Sequence, residues 1–85
     1  MKVKTTLPKL YEITWRDSVC NNSPWFSVED ALVWAKQEAI MQTVGYFVHE
    51  DKHTLTLAQS LYGSKSFGGL WGIPIGCIIK RKRLK

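Results

Sequence analysis

The chain has 85 residues, 45% of them hydrophobic and 22% charged, which gives one globular domain with a thin core and excludes a disordered segment. Its net charge of +5 is confined to one place: residues 80–85 hold five of the twelve Lys and Arg, and the other seven are matched by seven Asp and Glu. The longest apolar run, residues 70–79, is broken by Gly72, Pro74 and Gly76 and is too short to span a bilayer.

Residues 1–8 lack the apolar stretch of an export signal. Cys20 and Cys77, far apart and outside any C-x-x-C pattern, are therefore expected as reduced thiols of a cytoplasmic protein. Residues 9–16 alternate as a first strand, with Tyr11, Ile13 and Trp15 on one face. A polar connection rich in Asp, Ser and Asn follows, and Pro24 punctuates it. Ser27 supplies an N-cap hydroxyl, and Glu29 and Asp30 place acids in the first turn, so the pattern predicts a helix over about 27–40. Val28, Ala31, Leu32, Ala35 and Ala39 form a narrow apolar stripe expected to lie close against a sheet, with Trp34 at the edge of the core.

Residues 42–50 and 53–61 alternate as two further strands. A two-residue turn at Asp51-Lys52 pairs Glu50 with His53, Val48 with Leu55 and Tyr46 with Leu57. That register puts Val44, Tyr46, Val48, Leu55 and Leu57 on the core face and leaves Phe47, His49, Thr54 and Thr56 outside. Gly45 then falls opposite Ala58, a small–small site where a strand bends. Asp-Lys is not the preferred turn chemistry, which leaves a longer turn open. Residues 62–69 read as a flexible Gly-rich loop, residues 70–73 as a short strand stopped by Pro74, and residues 75–83 as a closing strand whose basic end, 80–85, projects as a tail.

The middle of the chain contains the string His49-Glu50-Asp51-Lys52-His53, the H-E-x-x-H of zinc proteases. That chemistry needs both histidines on one face of a helix, and these flanks have strand periodicity. No third histidine exists to complete a ligand set. The reading is non-enzymatic, with no catalytic residue, no metal and no cofactor. Residues 63–68 match the outer spacing of a phosphate loop but lack its Lys-Ser/Thr, leaving Lys65 beside backbone N–H groups as a weak anion site. The remaining constellation is cationic and aromatic. Lys80, Arg81, Lys82, Arg83 and Lys85 suit phosphates, and Phe47, Phe67 and Trp71 suit either stacked bases or the surface of a second copy.

Several short stretches carry a resemblance: Trp15-Arg16-Asp17-Ser18, Trp25-Phe26-Ser27-Val28-Glu29-Asp30-Ala31, Val44-Gly45-Tyr46, Leu57-Ala58-Gln59-Ser60 and Ile73-Pro74. Together, over about residues 10–80, they resemble small proteins encoded by phages and prophages. That resemblance implies a host-cell cytoplasmic setting and carries no activity and no catalytic residue. The order of elements is also similar to SH3-like and Sm-like small barrels, although Sm proteins begin with the helix that here follows a strand. The expected fold is α+β: a strongly bent antiparallel sheet or partly open small barrel of four to five strands with one helix. The expected function is a phage-type binding module, homo-oligomeric, engaging RNA or single-stranded DNA through its basic C-terminal segment. A phage accessory protein that blocks a host defence factor or captures a small nucleotide signal, and a structural phage component, are the alternatives.

Overall fold

The computed structural model describes residues 8–22, 25–63 and 65–84. In chain order the elements are β1 (Leu10–Asp17), α1 (Val28–Trp34), β2 (Ala39–Glu50), β3 (Thr54–Tyr62), β4 (Ser66–Pro74), a 3-10 turn (Ile75–Cys77) and β5 (Ile78–Leu84). The strands form one antiparallel sheet in the order β4-β3-β2-β1-β5. The last strand thus lies beside the first, and β4 and β5 are the two edges. The sheet is not closed into a barrel.

Register explains the core. Ile13 and Trp15 share a face of β1, as their period-two spacing requires. Leu55 and Leu57 share a face of β3, and Ile73 of β4 pairs with Leu55. These five form a single buried cluster, with Ile13, Leu55, Leu57 and Ile73 at 0–1% exposure. No helix covers them. By register Ile13, Trp15, Leu55, Leu57 and Ile73 lie on the same face of the sheet. Each buried aliphatic contributes roughly 1.5–3 kcal/mol. Tyr11, Phe47, Ile75, Cys77 and Ile78 pack around the cluster. The Trp15 indole, whose N–H must be satisfied when buried, donates to Thr43 Oγ1 at 3.0 Å.

Two features bend the sheet. Gly45 of β2 is buried where β2 passes closest to Leu57 and Ala58. The β2–β3 ladder then shifts between Phe47 and His49, leaving Val48 as a bulge, which adds twist and a kink. A second shift between Thr14 and Trp15 leaves Ile79 extra on β5.

Four expectations need correction. The β2–β3 turn is wider than two residues: Glu50 pairs with Leu55, and Asp51 Oδ1 accepts from the backbone N–H groups of His53 and Thr54 at 2.8 and 2.9 Å. Phe47 therefore pairs with Leu57 and faces the core, while Val44 is exposed. The helix stops at Trp34 and not near residue 40, because Ala39 and Ile40 pair with Asp17 and Arg16 as the start of β2. None of its residues is buried, so it does not lie on the sheet. Most of the Gly-rich stretch is strand: Tyr62 ends β3 and pairs with Ser66, and Ser66 to Gly72 belong to β4. Finally, Lys80 to Arg83 are not a projecting tail but lie in β5, paired with β1 as far as Leu84.

Candidate nucleic-acid interface

β5 reads Ile78-Ile79-Lys80-Arg81-Lys82-Arg83-Leu84, and strand alternation splits its cations between two faces. Lys80 and Lys82 stand opposite Thr14 and Glu12, on the outer face. Arg81 and Arg83 stand opposite Ile13 and Tyr11, on the core face. Arg81 is already engaged. Its two terminal nitrogens donate to the two carboxylate oxygens of Glu50, each at 3.0 Å. That bidentate pair holds the Glu50 carboxyl below its ordinary pKa and raises that of Arg81, the hydrogen bond being the main cause in both. Lys80, Lys82 and Arg83 are exposed. Lys85 lies outside the described residues.

The aromatic candidates divide differently. Phe47 is half-buried against the core, its ring 6.3 Å from that of Tyr11 and tilted by 57°. Its outward placement was a consequence of the narrower turn. Phe67 and Trp71 pair with Leu61 and Leu57, share a face of edge strand β4, and are 43% and 44% exposed. Gly69 between them has φ +66°. Lys65 is exposed at the β3–β4 turn, where its backbone N–H donates to the Tyr62 carbonyl at 3.0 Å and Gly63 takes φ +57°. The structure thus brings Lys65 near Phe67, and on β5 it places Lys80 and Lys82 on the outer face but Arg83 on the core face; β4 and β5 are opposite edges of the sheet. Lys65 and Phe67 lie at the β3–β4 turn, the end of β4 away from the 3-10 turn Ile75–Cys77 that leads into β5.

His49 lies in β2 and His53 in the turn that follows, so the H-E-x-x-H string is strand and turn rather than helix. His49 Nε2 is 4.0 Å from Asp51 Oδ2. Among the described residues no three His, Cys, Asp or Glu side chains are grouped as a metal site. No helix there is long and apolar enough to cross a membrane.

One surface was misassigned by pattern reading. Val28, Leu32 and Val33 of α1 are exposed, as is Trp25 just before it. Phe26, Ala31 and Trp34, with Asn21, line a shallow hollow of about 170 Å³ on the same arm. The signal was a seven-residue helix whose stripe is too Ala-rich to bury much area. No protein-family model, curated protein or solved structure matches the chain.

Proposed function

We propose that the chain is a non-enzymatic, phage-type module that binds single-stranded nucleic acid, built on a partly open SH3-like barrel. The barrel reading is supported by the strand order, by the bend at Gly45 and Val48, and by the short 3-10 link into a closing strand beside β1. The observation that carries the function is the state of β5. All of the chain's excess positive charge lies in residues 80–85, and pairing with β1 fixes Lys80 and Lys82 on the outer face of an exposed edge strand, with Arg83 on its other face. A fixed row of cations spaced along a strand matches a phosphate backbone better than a solvated tail does, because less side-chain and backbone entropy is lost on binding.

Lys80, Lys82 and Arg83 hold phosphates. To reach Trp71, which stacks a base, the nucleic acid passes round the sheet near the end where β4 leads into β5; Phe67, toward the other end of β4 on the same face, offers a second platform. Lys65 adds a further cation beyond Phe67. Arg81 stays with Glu50 and maintains the fold.

The test is titration of labelled single-stranded DNA and RNA at a series of salt concentrations. Wild type is expected to lose affinity steeply with salt. The double variant Lys80→Gln/Lys82→Gln should lower the slope of log K against log salt by about 1.4 for a single strand. Trp71→Ala should weaken binding by about 1–3 kcal/mol while leaving the slope unchanged. Absence of binding at low salt, or a slope untouched by the double variant, would refute the proposal.

A further inference from the structure

We propose that Glu12 limits the affinity of the nucleic-acid interface: its carboxylate, fixed opposite Lys82, repels a phosphate held there and makes Lys80 the stronger of the two lysine anchors. The inference rests on the nucleic-acid reading and assigns within it a residue that opposes binding.

What the fold does with its acids makes the first argument. The sequence has seven Asp and Glu. Asp51 caps the β2–β3 turn, Glu50 pairs with Arg81, and Glu38 pairs with Arg16. Asp17 Oδ1 accepts from the Ser18 backbone N–H at 2.8 Å. Glu29 and Asp30 lie in the first turn of α1, where the helix dipole favours acids. Glu12 is the one left over. Among the described residues its side chain takes part in no hydrogen bond and no ion pair. β1 pairs with both neighbours through its backbone, so the ladder does not call for a charge at this position.

The second argument is register. Glu12 stands opposite Lys82 on β5 and opposite the uncharged Val44 on β2, and Lys80 stands opposite Thr14. All of these share the outer face. Directly opposite residues have Cβ atoms about 4.5–5.5 Å apart, and diagonal ones about 7–8 Å apart. Glu12 is therefore nearer to whatever Lys82 holds than to whatever Lys80 holds. Lys80 instead faces a threonine hydroxyl, a group able to donate to a phosphate oxygen.

Charge gives the direction and the size. A phosphate on Lys82 brings a second negative charge beside the Glu12 carboxylate, and the attraction between Glu12 and Lys82 in the free chain has to be exchanged for it. Both effects weaken binding. Unit charges at such a separation in water, screened by salt, change a binding constant by about two- to fivefold. Glu12 is half-buried, so salt screens it less than it screens a fully exposed acid. At the diagonal separation the same charge acts more weakly, which places Lys80 ahead of Lys82.

The experiment is titration of a labelled oligothymidylate at low and at high salt, on wild type, Glu12→Gln, Lys80→Gln, Lys82→Gln and the double variant Glu12→Gln/Lys82→Gln. Glu12→Gln is expected to tighten binding about two- to fivefold at low salt, with a gain that shrinks as salt rises. The gain should largely vanish on the Lys82→Gln background, and Lys80→Gln should weaken binding more than Lys82→Gln does. Glu29→Gln adds the same unit of charge on α1, outside the interface, and should leave affinity unchanged. If circular dichroism shows that Glu12→Gln does not fold, the comparison of Lys80→Gln with Lys82→Gln decides. Wild type that binds, with Glu12→Gln at the same affinity, overturns the inference and leaves the nucleic-acid reading standing. So does an equal gain on the Lys82→Gln background or from Glu29→Gln, since net charge alone would then be at work. A loss from Lys82→Gln as large as that from Lys80→Gln overturns it too. Wild type that binds no oligothymidylate at low salt removes the nucleic-acid reading and this inference together.

Discussion

Gly45 shows how one missing side chain sets the geometry of a strand. A Cβ at this position would sit 2.9 Å from the Leu57 Cβ and 3.0 Å from the Ala58 carbonyl oxygen. The carbonyl is backbone in a ladder and has no room to retreat. Gly45→Ala is therefore expected to destabilise the fold by about 1–3 kcal/mol, as overpacking does. A urea midpoint at neutral pH measures it, and an unchanged midpoint would mean that β2 does not pass this close to β3. Gly76 provides the contrast. It has nothing within 4 Å of a built Cβ and no positive φ, so Ala should be tolerated there. The sequence marked Gly45 as a site of close approach, but the small–small pair expected with Ala58 does not form, because Ala58 pairs with Tyr46. What was not legible was Asp51. Its carboxylate caps its own turn by accepting two backbone N–H groups, which widens the turn and, strand period being two, turns Phe47 inward and Val44 outward.

At the level of elements, β1 follows its alternating pattern, with Ile13 and Trp15 buried on one face, whereas β2 breaks its own at the Val48 bulge. β4 shows why the rest was missed. Gly68, Gly69 and Gly72 look like loop chemistry, yet Gly68 and Gly72 pair with Ser60 and Thr56, and Gly69 kinks at φ +66° beside Gln59. Pairing supplied by β3 outweighs the weak intrinsic strand preference of glycine. The helix was overextended for the same reason. Ala39 favours a helix, but the ladder to Asp17 and Arg16 claims it, and the Arg16–Glu38 ion pair at 3.0 Å sits at the junction. β4 is also where the difference between its two faces is sharpest. Ile73 is fully buried against Leu55, and Leu70 is 61% exposed. Ile73→Ala should cost about 2–5 kcal/mol and Leu70→Ala within about 0.5 kcal/mol in the same denaturation assay. Equal losses would mean that the face assignment of this edge strand is wrong.

Across the whole molecule, the Glu50–Arg81 pair does what no core residue does. By register Arg81 lies level with Ile13, and Ile13 with Thr43, so in a flat sheet Glu50 would stand seven residues farther along β2, about 23 Å away. The two side chains meet only because the sheet bends, and their pairing ties edge strand β5 to the β2–β3 hairpin across β1. Its contribution depends on pH in a defined direction. The folded chain holds the Glu50 carboxyl below its ordinary value through the Arg81 hydrogen bonds, and Asp51 below its own through the His53 and Thr54 N–H groups. In the acid range the unfolded chain therefore binds more protons than the folded one. The stabilisation is fully present above the ordinary carboxylate values, and it is lost as pH falls through the lowered ones. Wild type should thus lose urea resistance steadily on acidification below the ordinary glutamate range and show no loss from this source at neutral pH. Glu50→Gln should be less stable than wild type at neutral pH, and the gap should narrow as pH falls, leaving Asp51 to account for the residual slope. If the two proteins trace parallel curves against pH, the carboxylate at Glu50 is not what binds the two halves of the sheet.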